Sequence, residues 1–427
     1  MANTKKLWLI LTLVMLTSFG ILGLLGREIH VKAPPVPTRV VSEDGAVLFT
    51  EADVATGRQA WQSAGGMQLG SIWGHGAYLA PDWSADWLHR ESVALLEGWS
   101  QADYGMPFDA LDPERQAALQ ARLKQEMSVN RYDPETGDLV VSVDRAQAIK
   151  AVAAHYVDLF GDAPALSTLR EQYAMPENAM PDAARRNALT AFFFWTSWAS
   201  AAERPGDDGV TYTNNWPHEP LLGHAPTTGS VVWSVLSVIL LIAGVGALVW
   251  YHAISSANQP HAVVPATDPL ASLKPTPSMR ATGKYFVTVI ALFLAQIGLG
   301  ALTAHYAVEG QDFYGFPIAQ YLPYAVTRTW HTQLAVFWIA TAWLATGLYI
   351  APAISGHEPR FQRLGANVLY VALLIVVVGS MAGEWFAVQQ KMGLDINFWF
   401  GHQGYEYVDL GRFWQILLFA GLGIWLV

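Results

Sequence analysis

Residues 328–350 read RTWHTQLAVFWIATAWLATGLYI. From His331 to Ile350 there are twenty residues without an Asp, Glu, Lys or Arg. A helix rises about 1.5 Å per residue, so this run crosses a hydrocarbon core of about 30 Å. It predicts a membrane span with His331 at one end and Arg328 about one turn earlier. Polar groups in or beside a span are costly, which makes both candidates for function.

The same reading finds further spans at residues 7–26, 230–251, 285–304 and 366–389, the last with Glu384 near its end. A sixth begins near Phe413 and is still apolar at Val427. An apolar run that stops inside a helix has neither interfacial anchor nor cap, so the chain is expected to be truncated in mid-span. Lys5 and Lys6 precede the first run, as in a signal peptide. That run is longer than the usual apolar region of about 7–15 residues and is followed by Arg27 and Glu28, so it is read as a retained anchor.

Composition agrees. Hydrophobic residues make up 52% of the 427 and charged residues 14%, against about 25% in an average soluble domain. With no cysteine, the chain cannot form disulfides, Cys-type zinc sites, Cys-held iron–sulfur clusters or a covalent C-x-x-C-H haem attachment. The net charge of -10 argues against nucleic acid as a partner. From Arg27 to Thr228 there are 27 acidic and 15 basic residues, whereas the remainder holds 8 acidic and 10 basic. One acidic, water-exposed part is therefore set within a poorly charged one. With the N-terminus inside, Lys5, Lys6, Lys274, Arg280, Lys284, Arg360 and Arg363 lie on the cytoplasmic side, and only Arg328, Lys391 and Arg412 in the short outer loops. This orientation puts the acidic part outside and makes the Pro-rich residues 259–277 a cytoplasmic connector.

The expected division is a membrane anchor over residues 1–28, an outside domain over 29–228 and a membrane domain over 229–427. Within the outside domain, residues 144–161 have a helical pattern. Residues 133–138 (DPETGD) signal a turn ahead of a strand-like run at 139–143. Residues 188–202 are apolar but too short to span comfortably, so a buried or interfacial helix is expected.

Three groups of polar residues stand near the outer ends of spans. A neutral imidazole such as His331 can ligate haem iron through one nitrogen while the other is oriented by a hydrogen bond. Arg328 suits a haem propionate, because its planar fork pairs with carboxylates. Taken alone, His331 reads equally as an interfacial residue. His305 and Glu309 stand at i and i+4, on one face if the helix continues, and could accept the protons of a hydroquinone; a solvated helix end gives the same spacing. Glu406 and Asp409, with nearby carbonyl and phenol oxygens, suit a hard cation such as calcium; a surface pair would look the same. No role is assigned to Glu384.

The run Gly74-His75-Gly76-Ala77-Tyr78-Leu79-Ala80-Pro81 resembles part of the small, membrane-anchored cytochrome c subunit of bacterial nitric oxide reductases. There C-x-x-C-H precedes G-x-G-A-Y-x-A-P. The cysteines are absent here, so this part resembles a cytochrome c fold without its haem; without the downstream motifs it would read as a Gly-rich surface loop. Taken with R-T-W-H-x-Q-L, A-H-Y-x-V-E and H-Q-G-Y-E-Y-V-D-L-G-R, the chain resembles a quinol-dependent nitric oxide reductase of the haem–copper oxidase superfamily, in which one chain fuses the cytochrome c-like domain to the catalytic subunit.

The resemblance implies an all-α membrane helical bundle of haem–copper oxidase type, truncated, with an extramembrane cytochrome c-like domain lacking haem c. It makes His331 an axial ligand of a low-spin haem b and Arg328 a propionate contact. It places His305 and Glu309 at the quinol site, and makes Glu406, the Gly76 carbonyl and Tyr78 calcium ligands. Asp409 falls on a proton route from outside. It implies quinol and nitric oxide as substrates, with N2O as product. A high-spin haem b and a non-haem iron are held by further catalytic spans that this sequence does not contain. A bacterial inner-membrane location follows, with residues 29–228 in the periplasm, in contact with lipid and compatible with a homodimer. The competing readings are a quinol-oxidising terminal oxidase of the same superfamily and a non-catalytic membrane subunit or transporter.

Overall fold

The computed structural model describes residues 4–74, 79–257, 266–268, 271, 273–405 and 409–426. The first apolar run forms α1 (Thr4–Val31), exposed along its length. Beyond it, β1 (Arg39–Ser42), β2 (Val47–Thr50) and, later in the chain, β3 (Asp138–Val141) make a small sheet in the order β2-β1-β3. β1 runs antiparallel to β2 and parallel to β3.

Around the sheet lie α2 (Glu51–Ser63), α3 (Trp83–Tyr104), α4 (Pro113–Ser128), α5 (Val143–Leu159), the short α6 (Ser167–Gln172) and α7 (Ala183–Ala201). Capping chemistry fixes their starts. Thr50 and Asp53 form a reciprocal capping box on α2, and Asp82, Asp112, Ser142 and Asp182 accept first-turn N–H groups of α3, α4, α5 and α7. The expected helix at 144–161, the strand after the turn and the buried helix at 188–202 all form. α7 is buried along most of its length, inside the extramembrane part.

The core of this part is aromatic. Trp83 is fully buried, with Tyr156, Phe160, Tyr173 and Phe193 rings 5.5–6.0 Å away. Trp87 stacks on Tyr156 at 5.3 Å. Glycines set two of the close approaches. A Cβ on Gly57 would lie 2.0 Å from the Ala188 carbonyl oxygen, so α2 can lie directly on α7 only through glycine. A Cβ on Gly70 would lie 2.1 Å from Trp83 Nε1. Buried aromatics of this size each remove about 150–250 Å² from water, and packed rings make up the centre of this part.

The remaining elements are α8 (Thr228–Ala257), α9 (Pro277–Ala281), α10 (Gly283–Val308), α11 (Ile318–Tyr321), α12 (Tyr324–Ser355), α13 (Gln362–Val388), α14 (Leu394–Phe400) and α15 (Arg412–Leu426). Among the described residues five helices are long and apolar enough to cross a membrane, and α15 is a shorter apolar helix. α8, like α1, is exposed along its apolar length. α10 packs along α12. At the connector end, Tyr285 Oη donates to the Ala366 carbonyl and Lys284 Nζ to Asn367 Oδ1, both at 2.6 Å, tying α10 to α13. Trp414 of α15 fills the space left by Gly379 of α13.

The extramembrane part docks where α10 ends, α12 begins and α13 ends. The turn Gly66–Gln68 meets the loop that follows α14. Gly66 and Gly404 have φ of 51° and 81°, in the left-handed region that glycine tolerates. A Cβ on Gly66 would stand 2.0 Å from Gly404 Cα. This closeness lets Met67 N–H donate to the Gly404 carbonyl at 3.1 Å. Gln62 Nε2 donates to the Gln403 carbonyl at 3.0 Å, and Gln390 Nε2 to Ser63 Oγ at 3.2 Å.

Candidate functional site

His331 sits on the second turn of α12 and is half-buried. Its Nδ1 lies 2.8 Å from the main-chain carbonyl of Gln296 on α10. A carbonyl only accepts, so Nδ1 is the donor, and in the neutral ring Nε2 then keeps its lone pair. Among the described residues Nε2 has no hydrogen-bond partner. Gly300, one turn beyond Gln296, makes room for the ring; a Cβ there would lie 2.7 Å from His331 Cε1. Trp338 Nε1 donates to Gln296 Oε1 at 2.7 Å and steadies the same residue. A neutral imidazole, oriented through one nitrogen and open at the other, fits the axial-ligand role expected of it. The Arg328 guanidinium, largely buried, donates to Gln68 Oε1 of the extramembrane part.

His305 and Glu309 meet at the end of α10, where Nδ1 and Oε2 are 3.1 Å apart. The helix does continue far enough: it ends at Val308 with Glu309 as its C-cap. Phe313 stacks on the His305 ring with centroids 4.1 Å apart, and Tyr314 meets it edge-on at 5.6 Å. The pair is part-exposed and framed by aromatic rings, a setting for a flat amphipathic ligand with hydroxyls.

Asp409 is fully buried. Its Oδ2 lies 3.2 Å from His402 Nε2 and 3.4 Å from Gln68 Nε2. Burial pushes the Asp409 carboxyl well above the usual carboxylate range. His402 is also fully buried, and burial lowers its imidazole to about 3. Its Nδ1 accepts from Gly404 N–H at 3.1 Å, and its Nε2 lies 3.1 Å from Thr329 Oγ1. Glu384 of α13 is fully buried as well and accepts from Gln333 Nε2 of α12. Gly76, Tyr78 and Glu406, the expected calcium ligands, lie outside the described residues. Among the described residues no group of three or more His, Cys, Asp or Glu side chains could hold a metal ion.

The sequence reading passed over His402, Gln68, Thr329 and Gln333. His402 had a usable signal: it lies between two glycines in Gly401-His402-Gln403-Gly404, beside the Asp409 motif. Gln68 had none, because its partners are over 250 residues away in the chain.

Residues 37–218 match the family model for the cytochrome c-like domain of nitric oxide reductase NorB. Residues 280–427 match that for cytochrome c and quinol oxidase polypeptide I. No curated protein matches the chain. The two matches follow one another and take in most of the chain, as an extramembrane cytochrome c-like domain and a haem–copper oxidase core. They mark a membrane oxidoreductase of a class that carries haem. The chain thus belongs to the nitric oxide reductase-like group of the haem–copper oxidase family.

Proposed function

We propose that this chain forms the electron-donor part of a quinol-dependent nitric oxide reductase, catalysing 2 NO + quinol → N2O + H2O + quinone. The observation that carries the reading is the dual use of α10. Its end holds the His305–Glu309 pair, and one of its carbonyls orients His331. From Gln296 to His305 is nine residues, about 13 Å of helix, so donor site and first relay share one rigid support.

In this reading the quinol ring lies against the aromatic frame of Phe313 and Tyr314. His305 and Glu309 bind its hydroxyls and take up the two protons released on oxidation. His331 would hold the low-spin haem b through Nε2, and Arg328 would pair with its carboxylates. When bound, the haem supplies the one-electron relay. Gly76, Tyr78 and Glu406 would hold a calcium ion. Asp409 stands on the proton route from outside. The high-spin haem b and non-haem iron belong to further spans. The protein sits in the bacterial inner membrane with residues 29–228 in the periplasm.

The test is anaerobic NO consumption driven by a short-chain quinol in membranes. His305→Ala and Glu309→Gln are each expected to lower the rate by about 10²-fold, the usual contribution of a positioned acid or base. Rates equal to wild type contradict the quinol site. Quinol-driven O2 uptake without NO uptake favours the terminal oxidase instead.

A further inference from the structure

The aromatic frame of the His305–Glu309 pair is carried by residues 310–317, the loop between α10 and α11. Gly310 turns the chain out of α10: its φ is 98°, and its N–H closes the helix end on the His305 carbonyl at 3.1 Å. Phe313 and Tyr314 follow in the same loop and lie against the His305 ring. A loop keeps much conformational freedom unless contacts outside it remove that freedom.

The extramembrane part supplies such contacts. Glu171, near the end of α6, accepts from Gln311 N–H through Oε1 at 2.8 Å and from Gln311 Nε2 through Oε2 at 2.9 Å. Gln311 Nε2 also donates to the Met175 carbonyl at 3.2 Å. The two oxygens of one carboxylate thus take the main-chain and side-chain donors of one loop residue. A two-point, charge-assisted hold of this kind fixes direction as well as position. Gly310 permits the approach, since a Cβ there would lie 2.7 Å from Glu171 Oε1.

An apolar seat backs the hold. Ala174, in the turn after α6, is buried with a left-handed backbone (φ 49°). It packs into one cluster with Leu302 and Tyr306 of α10, and Tyr314 of the loop lies against the same cluster. Glu171, Gln311, Asp312 and Pro317 also line an open cleft of about 670 Å³, so a released loop has room to move.

We propose that Glu171 is a positioning residue for the hydroquinone site: it holds Gln311, and through it the loop that sets Phe313 and Tyr314 against His305. The extramembrane part, which touches neither His305 nor Glu309 through Glu171, then governs how well that site binds its ligand. That the site takes a hydroquinone rests on the proposed function; that Glu171 holds the loop rests on the hydrogen bonds of this chain.

The test compares wild type, Glu171→Ala and Glu171→Gln by two measurements. The first is NO consumption in membranes over a short-chain quinol series. Glu171→Ala should raise KM about 10-fold and change kcat by less than about twofold. Glu171→Gln keeps an acceptor oxygen for the Gln311 N–H and should recover part of the KM. Phe313→Leu should raise KM less in the Glu171→Ala background than in the wild type, because the stack is already loosened. The second measurement is chymotrypsin cleavage of the purified protein after Phe313, Tyr314 or Phe316, which should be several-fold faster in Glu171→Ala. A fall in kcat and haem content with KM unmoved marks a merely structural residue and overturns the proposal. An unmoved KM also overturns it where His305→Ala lowers the rate. If His305→Ala leaves the rate at the wild-type value, the hydroquinone reading fails, and cleavage alone decides: faster cleavage keeps the hold by Glu171, and unchanged cleavage overturns it.

Discussion

His331 on α12 and Gln296 on α10 are joined by a 2.8 Å hydrogen bond from the imidazole Nδ1–H to the main-chain carbonyl. The bond fixes Nδ1 as the donor and holds the ring in place. Gly300 is what lets the ring lie this close. Substituting Gly300→Val is expected to push the ring off the carbonyl. Overpacking of this kind costs about 1–3 kcal/mol. The purified variant should therefore melt lower and carry less low-spin haem per protein, measured by its visible spectrum. A normal spectrum would show that Gly300 does not position the ligand.

Phe313 stacks on His305, and such aromatic pairs contribute about 0.5–1.5 kcal/mol beyond their buried area. Phe313→Leu keeps the apolar volume and loses the stack. The expected outcome is a KM for quinol raised several-fold, up to about 10-fold, with the haem spectrum unchanged. Steady-state kinetics over a quinol series measures this.

The buried His402 and Asp409 predict opposite dependences on pH. An unfolded histidine gains its proton near pH 6.5, whereas His402 stays neutral down to about 3. The unfolded state then binds the extra proton, and this group's contribution falls as pH drops below about 6.5, by up to about 1.4 kcal/mol per unit. Asp409 keeps its proton in the folded chain above the pH at which the unfolded chain loses it. Its contribution falls as pH rises through its raised value. Relative to wild type, His402→Gln should gain stability on acidification below about pH 6.5 and Asp409→Asn should lose it. Melting temperature against pH, in one detergent, checks both signs.

Gly66 has a left-handed backbone and no room for a Cβ against Gly404. Gly66→Ala should cost about 2–5 kcal/mol, from backbone strain and overpacking together. It should also make the junction between the extramembrane part and the spans more sensitive to protease. Gly98 lies inside α3, and an added methyl there would meet nothing within 4 Å. Gly98→Ala should instead stabilise by up to about 1 kcal/mol. If both variants melt alike, the docking geometry described for Gly66 is wrong.

Much of the fold was legible in the sequence because the bilayer demands long uncharged runs, and α8, α10, α12 and α13 follow from that demand alone. The extramembrane helix α7 was legible for the converse reason: an apolar segment too short to span must be buried in something else. His305 with Glu309 was legible because i and i+4 place side chains together on any helix. The cluster around Asp409 was not, because Gln68, Arg328 and His402 come from separate places in the chain. A buried histidine such as His402 leaves the same mark in a sequence as an exposed one. The orientation of His331 was equally hidden, since it depends on a carbonyl and a missing Cβ on another helix.

The central claim is that His331 is an axial ligand of a low-spin haem. The most direct measurement is a reduced-minus-oxidised visible spectrum of the purified protein beside its His331→Ala variant. A low-spin b-type signal in the wild type that the variant loses is the predicted result. A wild type without haem, or a variant whose low-spin signal is unchanged, would contradict it.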